Sequence, residues 1–136
     1  VASIVLLCVA VVGRDHGATL RAIPASESMT DDQAREVAEK TILVWARERN
    51  AGHLANLQEM TCPQAPDSWV SHQLAALERG SDLPQWNIVA ATGFIRSGSE
   101  WTITGLGRDQ GGMFTLRIDD GRLRVWSMGP LPVPSA

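Results

Sequence analysis

The chain contains no tyrosine, two phenylalanines, two cysteines and three histidines. Without tyrosine no phenol is on hand to donate a proton or a hydrogen bond in a site. Two cysteines are too few for a disulfide-stapled mini-protein, and neither sits among the neighbours that a zinc site needs. Cys8 falls in an apolar run and Cys62 in the body of the domain, so they are not expected to pair. Cys62, within Met60-Thr61-Cys62-Pro63, reads as a buried inert thiol, with a reactive or intermolecular role as the alternative. Lysine is nearly missing too: Lys40 stands alone beside eleven arginines. A net charge of −3 and a pI near 5.5 exclude the broad basic surface of a nucleic-acid or anionic-membrane binder. No glycine cluster opens a helix as a phosphate loop does. Gly105, Gly107, Gly111 and Gly112 straddle a strand and a loop, and the first two suit a strand that bends.

What remains is an ordinary globular composition, 44% hydrophobic and 20% charged over 136 residues. That length sets a prior of one domain with a core that needs no metal or disulfide. The acids gather early, ten against five bases over 27–82, whereas 83–136 carries four acids against five arginines. The only long apolar run is VASIVLLCVAVVG at 1–13. As a helix it spans roughly 20 Å, short of a bilayer core of about 30 Å. It reads as a truncated membrane anchor or a signal-like segment, giving a single-pass protein with its domain outside the cytoplasm, or a secreted one. Leu6 and Leu7 before Cys8 do not make a lipobox.

Residues 14–29 are mixed and aperiodic, as in a linker. Thr30 with Gln33 has capping-box spacing, and Asp31 and Asp32 fall in the first turn. Ala34, Val37, Ala38, Thr41, Val44 and Trp45 then recur on one helical face to about Arg49. A short helix follows from His53 to about Met60. A third, with Asp67 as N-cap, carries Val70, Leu74 and Leu77 and stops at Gly80. From Trp86 the period changes to two, and strands are expected over 86–95, 101–106, 114–119 and 122–128. Asp120-Gly121 signals a type I′ hairpin. Its register sets Arg117 opposite Arg124 and Thr115 opposite Trp126, with Trp126 and Met128 on the arginine face. Two like charges opposite each other need solvent or a partner, acidic or aromatic, a second subunit included. The tail 129–136 is proline-rich.

This order, three helices packed on a curved four-stranded antiparallel sheet after an apolar membrane helix, is α+β. It resembles the nuclear transport factor 2-like (cystatin-like) fold, a cone-shaped domain over residues 30–128. Within that fold the apolar run, the helix ending VWARERNAGHLANLQEMTC and the strand pair WTIT and IDDGRLRVWSM are similar to the small extracytoplasmic domains of actinobacterial, especially mycobacterial, membrane proteins. The resemblance implies architecture and not activity, since the fold hosts isomerases, dehydratases, hydrolases and binding modules alike.

An isomerase of this kind would want an acidic base with a tyrosine donor, and a hydrolase an Asp-Arg-Asp set on inward strand positions. Here Glu100, Asp109, Asp119 and Asp120 fall at turns or strand ends. The inward positions Phe114, Leu116, Ile118, Leu123 and Val125 are apolar. His16 is in the linker. His72 with Asp67 and Ser68 writes a triad on paper, but spacing along one helix denies it the geometry. His53 begins the second helix and is no better placed. No catalytic residue, metal ligand or cofactor site is therefore expected. Trp45, Trp69, Trp86 and Phe114 are the candidates for an apolar pocket, and Arg117, Arg124, Trp126 and Met128 for an interface or homodimer on the sheet face. The expectation is a membrane-tethered, extracytoplasmic, non-enzymatic domain binding an envelope protein or an apolar small molecule, with a small enzyme of the same fold as the alternative.

Overall fold

The computed structural model describes residues 17–66, 68–108 and 110–131. The apolar run 1–13, His16, Asp67, Asp109 and the end of the tail from 132 lie outside them. Among the described residues no helix is long and apolar enough to cross a membrane. The described chain is α+β, with three helices packed on one side of a curved antiparallel sheet.

The helices are α1 (Asp31–Ala51), α2 (Leu54–Glu59) and α3 (Trp69–Glu78). The expected capping box at Thr30 and Gln33 is made in both directions, and the Thr30 hydroxyl accepts from the Gln33 N–H at 3.1 Å. Gly52 ends α1 in the left-handed region at φ 73°, where its N–H closes onto the Arg49 carbonyl. The buried face of α1 includes Ala34, Ala38, Thr41 and Trp45 as patterned, with Val37 and Val44 half-buried beside them, and it also takes in Ile42, Ala46, Glu48 and Arg49. At α3 the N-cap is Ser68, with the Ser71 hydroxyl accepting from the Ser68 N–H at 2.9 Å. Val70 is fully buried on this helix, and Leu74 and Leu77 pack beside it.

The sheet has five strands where four were expected: β1 (Ile23–Pro24), β2 (Ile88–Ser97), β3 (Glu100–Gly107), β4 (Gly111–Asp119) and β5 (Arg122–Gly129), in the order β1-β5-β4-β3-β2. The extra strand comes from the segment read as linker. Ile23 pairs with Leu123 and Pro24 with Arg122, a match too short for any alternation to reveal, and proline is tolerated because the strand is an edge. Beside it Met60–Cys62 pairs with Val125, so the β5 edge is covered along that stretch.

The Asp120-Gly121 turn is as expected, with φ 53° and 72°. Its register holds from Asp119↔Arg122 to Leu116↔Val125 and then slips, so that Thr115 faces Ser127 and not Trp126. This bulge inserts one residue into β5 and reverses the faces beyond it. Met128, expected beside Arg117, comes to lie opposite Phe114 and packs against the core.

The core itself holds Ile42, Trp45, Leu57, Trp101, Ile103, Phe114, Leu116, Leu123 and Val125, all essentially without solvent contact. Each of these side chains contributes roughly 1.5–3 kcal/mol by its removal from water. Gly107 has a steric role at the rim: a Cβ there would sit 2.1 Å from the Asn87 carbonyl oxygen, so only glycine lets β3 approach the entry to β2 so closely.

Candidate functional site: an aromatic groove beside a polar turn

Three of the four pocket candidates meet around Trp86, which lies just before β2. The Trp69 and Trp86 rings are stacked, 4.5 Å between centroids and 2° from parallel. Trp45 and Phe114 stand behind Trp86 at 6.1 Å and 6.5 Å, tilted and edge-on. The sequence placed all four rings on apolar faces; the structure makes them one cluster.

What fixes Trp86 is the end of α1. The Asn50 amide clamps the Trp86 backbone, accepting from its N–H at 2.9 Å and donating to its carbonyl at 2.7 Å. The Arg49 guanidinium lies 4.2 Å from the Trp86 ring centroid. Its Nε donates to Gln73 at 2.7 Å and its Nη1 to the Pro84 carbonyl at 2.7 Å. Among the described residues no carboxylate pairs with it. Burial therefore pushes its pKa down to about 10, still protonated at neutral pH. Neither Arg49 nor Asn50 was singled out from sequence. The only signal was two polar residues at the C-terminus of an amphipathic helix, which usually means solvent.

Trp69 and Trp86 form one wall of a groove of about 760 Å³. Ile88, Leu106, Met128 and Leu131 complete its apolar lining, at the rim where β3 ends and β4 begins. Trp69 and Leu106 are exposed to solvent there. Arg108 and Gln110 stand in the lining as well. Gln110 pins the rim, its side chain accepting from the Asn87 N–H at 3.2 Å and its carbonyl accepting from Gly107 N–H at 2.8 Å. Gly112 clears space at the same rim, since a Cβ would meet Met128 Cε at 2.2 Å. Trp45 and Phe114 do not reach the groove surface; they support it from behind.

A second arrangement lies at the turn between α1 and α2. Glu48 is buried, and its carboxylate accepts from the Asn56 amide, from His53 Nδ1 at 3.1 Å and from Arg47 Nε at 3.3 Å. Burial alone would raise its pKa, but these hydrogen bonds with the His53 charge outweigh it and hold the carboxyl below the ordinary value. His53 and Asn56 line a hollow of about 530 Å³ together with Thr19. This pairing of acid and imidazole was not found from sequence, where Glu48 was not singled out. His72 stands on α3. Among the described residues no three His, Cys, Asp or Glu side chains gather as a metal ion would need.

The four interface candidates do not form one surface. Arg117 lies 3.6 Å from the Trp126 ring centroid and is paired with Glu100 at 2.9 Å. Arg124 is buried, with its guanidinium on Glu59 at 3.1 Å and on Asp119 at 3.3 Å. The two opposed arginines are thus neutralised within the chain, one by an acid and an aromatic ring and the other by two acids. Met128 has turned to the groove. Cys62 is buried 3.9 Å from the Arg124 carbonyl, and burial, with Asp119 adding to it, raises its thiol to about 11. It is protonated and inert at neutral pH.

No family model matches this chain, and neither a curated protein nor a solved structure matches it.

Proposed function

We propose that this chain is a non-enzymatic binding domain that holds an apolar small molecule in the groove walled by Trp69 and Trp86. One observation carries the reading: stacked indoles, one of them open to solvent, line a groove of about 760 Å³, a size and lining typical of small-molecule sites. An envelope protein inserting an apolar side chain is the other occupant this surface suits. The apolar run at 1–13 supports a membrane tether with the domain outside the cytoplasm, or secretion. The order of three helices before a curved sheet supports a nuclear transport factor 2-like relationship.

The test is a titration of the full chain with the neutral apolar fluorophore N-phenylnaphthylamine. Saturable enhancement in the wild type, lost in Trp69→Ala, is the expected result. Trp69→Ala should cost only about 1 kcal/mol of stability, because the ring is an exposed member of a stacked pair. Equal response from both proteins overturns the groove as the site.

A second reading, a small enzyme of the same fold, rests on the Glu48–His53 pair. A buried carboxylate that orients an imidazole leaves the other ring nitrogen as a base.

A further inference from the structure

Resting on the groove reading, we infer that its occupant is an amphiphilic anion, an apolar chain whose carboxylate or other small acidic head is met by Arg108. The argument is charge complementarity. Apart from Arg108, the described residues lining the groove carry no charge. Among the described residues the Arg108 side chain makes no ion pair or hydrogen bond, whereas Arg21, Arg35, Arg47, Arg96, Arg117 and Arg124 each have a carboxylate partner and Arg122 donates to the Ala22 carbonyl; Lys40 and Arg79 have no such partner either, but neither lines the groove. Arg49 lacks an acid too, but its donors are spent on Gln73, Asn50 and Pro84 and it stacks on Trp86. Arg108 is therefore the free cation of the site, exposed and next to Gly107, whose N–H is tied to Gln110.

A neutral hydrocarbon would gain nothing from that guanidinium, and an amine would be repelled by it. An anion with an apolar tail satisfies both ends, with the tail on Ile88, Leu106 and Met128 and the head at the rim. Trp69 and Trp86 offer flat apolar walls and no acceptor for the head, because indole N–H is a donor only. The site faces a single free molecule and not a lipid surface, because the chain as a whole is acidic and the cation is solitary.

Decanoate, decanol and decylamine share one tail and differ only in the head. They are titrated against the full chain by displacement of N-phenylnaphthylamine. Decanoate is expected to bind about fivefold tighter than decanol, the factor of an exposed ion pair, with decylamine weakest. Raising salt should close the gap. Arg108→Gln should remove the preference while leaving decanol affinity in place, and Arg108→Lys should restore part of it. If all three ligands compete equally, the anionic head is wrong and the apolar groove stands. If none competes while the fluorophore binds, the proposed class of occupant fails. If nothing binds, the groove reading itself fails. Binding of the protein to anionic vesicles that is lost in Arg108→Gln, with no displacement by free decanoate, overturns the free-molecule form.

Discussion

The two ends of the molecule are built on opposite principles. At the α1–α2 turn, buried polar groups are numerous and partnered: Glu48 has three donors, the Asn56 side chain holds Thr19 and Glu48, and Glu59 is held by Arg21, Arg124 and the Ala22 N–H. At the groove rim, aromatic faces stand open and Arg108 is unpaired among the described residues. A closed network positions the chain, because its capacity to bind is spent internally. Unspent surface is what a ligand can use.

The sharpest way to break the contrast is Arg124→Ala. This guanidinium joins β5, the C-terminus of α2 and the β4–β5 turn, through Glu59 and Asp119. Removing it leaves Glu59 short of a cation in a nearly closed site and should cost about 2–4 kcal/mol, read by chemical denaturation. N-phenylnaphthylamine affinity of the folded fraction should be unchanged. A loss below about 1 kcal/mol would show that the ion pairs are ordinary surface contacts.

Acid should then separate the ends by a smaller effect. Burial tends to raise the carboxyls of Glu48 and Glu59, yet the hydrogen bonds and cations around each hold it below its ordinary value when folded. Groups of that kind bind fewer protons folded than unfolded, so their stabilisation is complete above the ordinary carboxylate range. It is lost as pH falls through the folded values. The melting temperature should decline from about pH 5 downwards, and Glu59→Gln should flatten that decline while lowering stability at neutral pH. The groove has no such carboxylate among the described residues, and its aromatic near-ultraviolet signal should follow only the global loss. A signal that fails at higher pH than the α2 end would invert the comparison.

The contrast also explains what the sequence made legible. Signals that act within a few residues were readable: the Thr30–Gln33 box, the Asp120-Gly121 turn, and the period-two alternation that put Phe114, Leu116, Leu123 and Val125 inside. The groove was half readable, because large apolar side chains declare burial without declaring neighbours. The polar end was not. Glu48, Arg49 and Asn56 belong to residue types that normally face water, and only distant partners such as Thr19 and Gln73 bring them inside. The bulge that turns Met128 inward depends on how two strands fit and leaves no local mark.

The smallest expected effect tests whether the polar turn is only a fastening. His53 has a half-exposed ring, so His53→Gln keeps a donor for Glu48 and should change stability by less than about 0.5 kcal/mol. If Glu48 serves only to hold α2, the variant behaves as the wild type in every assay, and p-nitrophenyl acetate is hydrolysed by both at the rate of free imidazole. An esterase rate above that level in the wild type, removed by His53→Gln and reduced by Glu48→Gln with the fold intact, would give the turn a chemical role. Saturation of that rate with substrate would separate a site from a merely nucleophilic surface histidine. The closed end would then leave one group unspent, the far nitrogen of His53, and the principle that divides the two ends would place a second site there.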